Sequence, residues 1–257
     1  MITQIYSIHD VNEAKMCLDS GVDHIGVALS NGYECPREAP LPEIKEIFEF
    51  IGTKAKKVLI VVSKGEEEVL SAVRELHPDI VHICGNYYEA TPKLKAHLLE
   101  IDPKIELMQA IGLPSSDFME KASYFASFCD YLILDSIRPG LTSIGVAGVT
   151  HDWSMDKEIV DSFPNLKVIL AGGLGPNNVK KAIEAVRPYG VDSFTKTSFV
   201  QDGVLLGKDP KAIASFVKNA KEALRALLSD PAMREFFKRQ SALRDEAFQS
   251  PLFSLFD

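Results

Sequence analysis

The sequence predicts an α/β fold, a (β/α)8 TIM barrel followed by a C-terminal helical extension. Short apolar runs alternate with amphipathic, Lys/Glu-rich segments along the chain, and eight such pairs can be counted. Apolar strands separated by helical segments are typical of a parallel sheet built from βαβ units. Eight units in about 230 residues match a closed barrel better than an open, doubly wound sheet.

The apolar runs define the expected strands, and the amphipathic segments between them define the expected helices. The strands are expected at residues 3–8, 24–29, 57–62, 80–83, 105–110, 131–135, 167–171 and 191–195. The helices are expected at residues 11–20, 41–52, 66–76, 91–101, 116–128, 156–163, 176–186 and 210–228.

The barrel is expected to occupy residues 1–228, and residues 229–257 form an extension with a different pattern. Asp230-Pro231 interrupts the helical segment there. The extension is rich in phenylalanine, with Phe236, Phe237, Phe248, Phe253 and Phe256. Because an exposed aromatic tail would be a liability, we expect it to pack on the barrel or against a partner subunit in a homodimer.

Composition narrows the classes of function. A net charge of −8 opposes a broad phosphate-neutralising surface, so we expect no nucleic-acid partner, although a local pocket can still bind a small anion. No secretory signal is visible, and no apolar run approaches the roughly 18 residues that span a bilayer, so we expect no membrane partner. Widely spaced cysteines without a CxxC pair favour free thiols. We therefore expect a cytoplasmic protein, and we separately expect no cofactor.

The most informative stretch is the glycine-rich turn after the seventh expected strand. Residues 171–176 read Ala-Gly-Gly-Leu-Gly-Pro, with Gly172 and Gly173 adjacent, and a helix is expected to follow. Such a turn ahead of a helix N-terminus exposes backbone N–H groups to a phosphate. The glycines could instead only punctuate a βα turn. Because barrels commonly bind phosphate after strands 7 and 8, the position favours a phosphorylated small molecule as ligand.

An ordered series of segments resembles a known family. The segments are Gly145, Gly148 and Thr150 ahead of Asp152-Trp153, then residues 171–179, 186–192 and 208–213. Together they resemble the C-terminal half of phosphoribosylanthranilate isomerases, and the resemblance continues more weakly over residues 1–226.

The resemblance implies a (β/α)8 barrel that catalyses the Amadori rearrangement of an aminoaldose phosphate to an aminoketose phosphate in tryptophan biosynthesis. This chemistry needs a general acid to open the ribose ring and a general base to take the C2 proton. The family's acid, an Asp at the end of strand 6, corresponds to Asp135. As a strand-end carboxylate, Asp135 could also merely cap the following turn.

The family's base is a Cys in strand 1, and Tyr6 stands at that position in this chain. A Tyr with a pKa of about 10 is a poor base at pH 7. The barrel layout also places His9, Cys84 and His151 near strand ends or in the following loops, so each is a candidate substitute.

The resemblance implies further ligand contacts. Gly172 and Gly173 would hold the phosphate, and Thr195 and Lys196 follow strand 8, where the family has a glycine that this chain lacks. Lys196 could bind the phosphate as a point charge or project into solvent. The expected contacts with the rest of the substrate are Arg37, which would hold the anthranilate carboxylate, and His82, Thr150, His151 and Asp192.

Other functions remain open at the level of sequence. A diverged isomerase, epimerase or aldolase could act on another sugar phosphate, and Lys196 could form a Schiff base in such an enzyme. A metal could bind among His9, His82, Cys84, Asp135 and His151, although no recognised ligand spacing is present and we expect no metal. A barrel without the family's base could also bind a phosphorylated ligand without catalysis.

Overall fold

The computed structural model describes residues 1–29, 37–85, 87–137, 150–202 and 204–243, with side chains up to residue 238. Eight parallel strands pair in sequence order and form a closed barrel, which confirms the predicted fold. The strands are β1 (Ile2–Ile5), β2 (His24–Ala28), β3 (Lys56–Val61), β4 (Ile80–Ile83), β5 (Glu106–Leu113), β6 (Tyr131–Ser136), β7 (Lys167–Leu170) and β8 (Gly190–Ser193). β1 pairs with both β2 and β8, so the described barrel has no free edge.

The described residues also form nine α-helices. They are α1 (Val11–Asp19), α2 (Leu41–Ile51), α3 (Glu66–Leu76), α4 (Pro92–Ile101), α5 (Phe118–Ala126), α6 (Ser154–Ser162), α7 (Val179–Val186), α8 (Pro210–Ser229) and α9 (Pro231–Leu243). Asp10, Thr91 and Asp209 begin α1, α4 and α8, because each side chain accepts a backbone N–H of the first turn. None of these described helices combines the length and apolar character that crossing a membrane requires.

Two separate cores hold the barrel together. The larger one lies between the strands and the surrounding helices. The helix α7, for example, contributes one apolar face to it, made of Val179, Ala182, Ile183 and Val186. The smaller one fills the inside of the barrel and includes Tyr6, Val58, Ile80, Met108, Tyr131, Ile133 and Ile169. The interior is therefore packed with side chains, and a ligand can reach it only from an end of the barrel.

Charged side chains line the N-terminal end of the barrel. Glu106 pairs with Lys56 and, at 2.6 Å, with Lys167. The Lys167 ammonium also lies 4.8 Å from the centre of the Tyr131 ring. Burial raises the pKa of Glu106, but the two lysines outweigh burial and hold it below its ordinary value. At this end of the barrel, the charge of Glu106 is therefore compensated by two lysines.

A two-stranded hairpin between β8 and α8 was absent from the predicted elements. A single 3₁₀ turn (Thr195–Thr197) follows β8, and the antiparallel strands β9 (Ser198–Gln201) and β10 (Val204–Lys208) follow the turn. The prediction of strand 8 at residues 191–195 was therefore wrong at its C-terminal end. The sequence does contain a signal for this hairpin, because Asp202-Gly203 between the two strands is typical of a two-residue hairpin turn.

The predicted start of helix 7 at residue 176 was also wrong, since α7 begins at Val179. The Asn178 side chain accepts the Gly175 N–H at 2.8 Å and donates to the Gly173 carbonyl at 3.1 Å. These two bonds fold residues 173–178 into a turn, because an Asn side chain competes with helical backbone bonds.

The extension begins with α9, which packs beside α8. Phe237 is buried in the larger core, and the Phe236 ring lies 5.8 Å from the Arg187 guanidinium carbon. Phe248, Phe253 and Phe256 lie outside the described residues. The division at residue 228 therefore stays a prediction.

The closure of the barrel requires a glycine at position 190. A Cβ there would lie 2.6 Å from Ile169 Cδ1 and 2.9 Å from Ile2 Cβ, so it would push β8 away from both neighbouring strands. We expect Gly190→Ala to lower the free energy of unfolding in urea by about 1–3 kcal/mol.

Gly65→Ala is the matched control, because a Cβ at Gly65 meets nothing within 4 Å and its backbone is extended, with a φ of −168°. This variant should change the stability by less than about 1 kcal/mol, since Ala restricts the unfolded chain but is a poorer N-cap of α3 than Gly. Equal effects at the two positions would contradict the steric account of closure.

Candidate active site

The C-terminal ends of β6, β7 and β8 surround a small recess. It is lined by Asp135, Gly172, Gly173, Leu174, Asp192, Ser193, Phe194 and Thr195. Five of these residues are candidates named from the sequence. A larger cavity, lined in part by Cys129, Asp130 and Lys167, lies at the opposite end of the strands, away from these groups.

The glycine turn forms one wall of the recess. Gly172 and Gly173 have φ angles of +81° and +61°, a backbone region that residues with a Cβ rarely adopt. A Cβ at Gly172 would also lie 2.4 Å from Ser136 Oγ, so the turn packs directly on the end of β6. The Ser193 hydroxyl donates to the Leu174 carbonyl at 2.7 Å and ties the same turn to β8.

Asp135 lies near the end of β6, with its carboxyl group at the recess. Its Oδ1 accepts the backbone N–H of Ser136 at 2.7 Å. Burial raises the pKa of Asp135 to about 7, against the opposing effects of that hydrogen bond and of His151, while Asp156 raises it further. Both protonation states of this carboxyl are therefore available near neutral pH.

Asp192 supplies a second carboxyl group from β8. It is 4% exposed, and its Oδ1 accepts a hydrogen bond of 3.3 Å from the Gln4 amide. Burial, followed by the negative charge of Asp135, raises the pKa of Asp192 well above its ordinary value. The recess thus contains two coupled carboxyls that do not readily ionise together.

Tyr6 fills the top of the barrel interior. The Tyr6 hydroxyl and His82 Nδ1 share a hydrogen bond of 2.7 Å, and the ring covers Gly26, where a Cβ would lie 2.3 Å from Tyr6 Cδ1. Burial lowers the pKa of His82 to about 3, so the imidazole is neutral. Burial, with the nearby Asp192, raises the pKa of Tyr6 well above 10.

The remaining sequence candidates occupy different surroundings. Cys84 is buried in the same interior cluster as Tyr6, whereas His9, Thr150 and Lys196 are exposed. Arg37 is mostly buried and donates to Glu13 Oε1 at 2.7 Å and to the Ser7 carbonyl at 3.3 Å. The structure therefore does not gather the predicted set into one cluster.

Glu13 connects the segments around the mouth of the barrel. This buried carboxylate of α1 accepts the His9 N–H at 3.0 Å, the Arg37 guanidinium at 2.7 Å and the Lys208 N–H at 2.9 Å. These donors follow β1, follow β2 and end β10. One side chain thus joins three segments that are distant in sequence.

A hydrogen-bonded chain runs behind the recess. Ser136 Oγ lies 2.8 Å from His151 Nδ1, and His151 Nε2 lies 2.7 Å from Asp156 Oδ2 on α6. Both ring nitrogens of His151 therefore contact protein groups, an arrangement different from the ligand contact expected for it.

Glu13, Ser136 and Asp156 were not predicted from the sequence. A signal existed for the two acids, because each occupies the buried face of its helix. Glu13 shares that face with Ala14 and Cys17, and Asp156 shares it with Ile159 and Val160. An acidic residue within an apolar stripe implies a buried partner.

Among the residues that the structure describes, no group of three or more His, Cys, Asp or Glu side chains has an arrangement that could hold a metal ion.

Known proteins match both the sequence and the fold. The family model of N-(5'-phosphoribosyl)anthranilate isomerase matches residues 10–219. The N-(5'-phosphoribosyl)anthranilate isomerase of Methanocella arvoryzae is 33% identical over 180 residues, which cover 70% of this chain and 81% of that protein.

Two solved structures extend the likeness to three dimensions. Phosphoribosyl anthranilate isomerase from Thermotoga maritima has a TM-score of 0.70 and 26% identity, over 86% of this chain and 100% of that one. A phosphoribosyl anthranilate isomerase in complex with reduced 1-(o-carboxyphenylamino)-1-deoxyribulose 5-phosphate has a TM-score of 0.67 and 25% identity, with the same coverage. On the extent of the family match, this chain belongs to the N-(5'-phosphoribosyl)anthranilate isomerase family.

Proposed function

We propose that this chain isomerises N-(5'-phosphoribosyl)anthranilate, an aminoaldose phosphate, to the corresponding aminoketose phosphate. The observation that carries the proposal is the meeting of an acid with a phosphate-type turn. Asp135, with a pKa of about 7, shares one recess with Gly172 and Gly173 at the ends of β6 and β7. The complex of a family member with a carboxyphenylamino-deoxyribulose phosphate supports the same ligand class.

In this proposal the substrate's phosphate binds at the turn after β7. Backbone N–H groups in left-handed glycine turns form concave anion sites, and such sites recur at this end of barrels. Thr195 adds a hydroxyl from the other side of the recess. Lys196 is exposed, and its Cβ side packs against Gly175, so its ammonium group is free to approach the phosphate from the rim.

Asp135 carries the proton transfers. Its carboxyl group donates a proton to the ribose ring oxygen, the C1–O bond breaks, and the nitrogen lone pair forms a C1=N bond. The Asp135 carboxylate left behind takes the C2 proton, and the C–H electrons form C1=C2 while the C=N electrons return to nitrogen. Tautomerisation of this enol amine gives the ketose. A carboxyl with a pKa of about 7 suits both steps, because its two forms interconvert near neutral pH.

Tyr6 is assigned a structural role. Its hydroxyl is held by His82 and contacts Met108 Sδ at 3.3 Å, and its raised pKa keeps it protonated. The Asp192 carboxyl, whose pKa burial raises well above its ordinary value, would contact a substrate hydroxyl in this proposal. Cys84 and His9 stay open as alternative bases, and Arg37 stays a candidate for the anthranilate carboxylate.

We expect Asp135→Asn to lower turnover of phosphoribosylanthranilate by about 10²–10⁴-fold, the usual contribution of a general acid or base. Turnover is followed by the loss of substrate fluorescence. In the unchanged protein, activity should fall as the pH rises through about 7, because the reactive form of Asp135 is protonated.

The same variant should gain stability, which distinguishes lost chemistry from lost folding. Asp135 ionises near its ordinary value of 3.8 when unfolded and at about 7 when folded, so rising pH favours unfolding between these values. Asn removes this cost, and we expect the variant to exceed the parent by roughly 4 kcal/mol at pH 8 but not at pH 4. Asp161→Asn, an exposed site on α6, is the control. Full turnover by Asp135→Asn would refute the proposal.

We expect Tyr6→Phe to keep turnover within a few-fold of the parent and to lower the free energy of unfolding by about 1–3 kcal/mol. The loss of stability follows because His82 Nδ1 is left buried without its partner. Tyr124→Phe removes the same atom from a ring that is 51% exposed and should change neither quantity. A stable Tyr6→Phe protein without activity would assign the base to Tyr6.

The cytoplasmic location stays a prediction. We also infer a homodimer that buries the β9–β10 hairpin. The hairpin exposes Phe199, Val200, Val204 and Leu206 by 49–60% each, an apolar surface of the kind that marks interaction sites. Sedimentation velocity should give a dimer for the parent and a monomer for Val204→Lys combined with Leu206→Lys. Leu99→Lys, at an exposed site on α4, is the control. A monomeric parent would refute the dimer.

A further inference from the structure

We propose that the Ser136–His151–Asp156 chain is a positioning relay, which fixes Asp135 relative to the glycine turn and sets the charge around it. The inference rests on the proposed function, in which Asp135 transfers the proton and the turn holds the phosphate. It goes further by assigning roles to three side chains that would not contact the substrate.

The relay is a continuous and buried set of hydrogen bonds. Ser136 Oγ to His151 Nδ1 is 2.8 Å, and His151 Nε2 to Asp156 Oδ2 is 2.7 Å. The His151 and Asp156 side chains are 6% and 0% exposed. Burying a carboxyl group in this way costs free energy, so the presence of this chain behind the recess calls for an explanation beyond stability.

A nucleophilic role for Ser136 is excluded by its surroundings. Successive residues of a strand face opposite sides, so Ser136 points outward while Asp135 points to the recess. Ser136 is 2% exposed, and the backbone of Gly172 covers its hydroxyl so closely that a Cβ there would lie 2.4 Å from Oγ. No substrate carbonyl can reach this oxygen in the folded protein.

The same contacts give the relay its positioning role. Ser136 donates its backbone N–H to Asp135 Oδ1, its hydroxyl bonds to His151, and Gly172 packs against that hydroxyl. Ser136 thus fixes the position of Asp135 relative to the glycine turn. Asp156 anchors this residue, through His151, to the first turn of α6. A displacement of about 1 Å between acid and phosphate site is enough to cost about 10²-fold in rate.

The relay also acts on the pKa of Asp135 in two opposite directions. Asp156 Oδ1 is buried and has no hydrogen-bond partner among the described residues, so no local donor offsets the effect of Asp156 on Asp135. The groups that face Asp135 are Asp192 from β8, Tyr6 after β1, His151, and Asp156 from α6. His151 lowers the pKa of Asp135, and Asp156 raises it.

The test is the titration of the Asp135 carboxyl, followed by ¹³C NMR in the folded, ligand-free protein and by the pH profile of kcat. We expect Asp156→Asn, which keeps an acceptor for His151, to lower the midpoint by about one pH unit. His151→Gln should raise it, and the double variant should return it towards the parent value. Asp161→Asn removes the same charge from the exposed face of α6 and should leave the midpoint unchanged.

Ser136→Ala tests the positioning role separately, because it removes a link without removing a charge. We expect kcat to fall by about tenfold or more, with the NMR midpoint nearly unchanged and the protein folded. Shifts of the same sign in Asp156→Asn and His151→Gln, or no shift beyond that of Asp161→Asn, would overturn the relay. The NMR arm does not depend on turnover, so absence of isomerase activity in the parent would refute the proposed function alone.

Discussion

The pairing of β8 with β1 is the constraint on which the site depends. It sets Asp192 opposite Gln4, and the Ser193 carbonyl accepts the Tyr6 N–H. Because the sheet closes here, the ends of β6, β7 and β8 converge on one recess. In an open sheet the same residues would lie along an edge, with water on one side. The chemistry of each residue in the site therefore depends on the closure of the barrel.

Closure also accounts for the electrostatics, since it removes water from polar groups that point inward. Gln4 is the middle of a buried chain, bonding His24 at 3.1 Å and Asp192 at 3.3 Å. The same enclosure keeps His24 neutral, because burial lowers its pKa to about 3, and raises the pKa of the carboxyls at the mouth. One physical cause, desolvation, thus lowers the pKa of the buried imidazoles and raises the pKa of the carboxyls at the mouth.

The sequence predicted the elements better than it predicted the contacts between them. Apolar runs located all eight barrel strands, and the glycine turn and Asp135 were predicted as features of the site from the sequence. The relay and the Tyr6–His82 bond were not, because their partners lie 5 to 76 residues apart and meet only after the barrel closes. The hairpin at β9 and β10 was missed because its strands have only four and five residues, although Asp202-Gly203 between them is a typical hairpin turn. Local pattern specifies an element, whereas long-range pairing is specified by the closed sheet.

The contacts of Glu13 bear on how such a barrel changes during evolution. In an ideal barrel each loop varies independently, which is why one scaffold can acquire many specificities. Here the segments after β1 and β2 and the end of β10 share a single carboxylate. A replacement of Arg37 that suited a new ligand would leave Glu13 with less compensation and would disturb its other two partners. Three parts of the mouth are therefore inherited together, and new specificity in this chain requires coordinated substitutions.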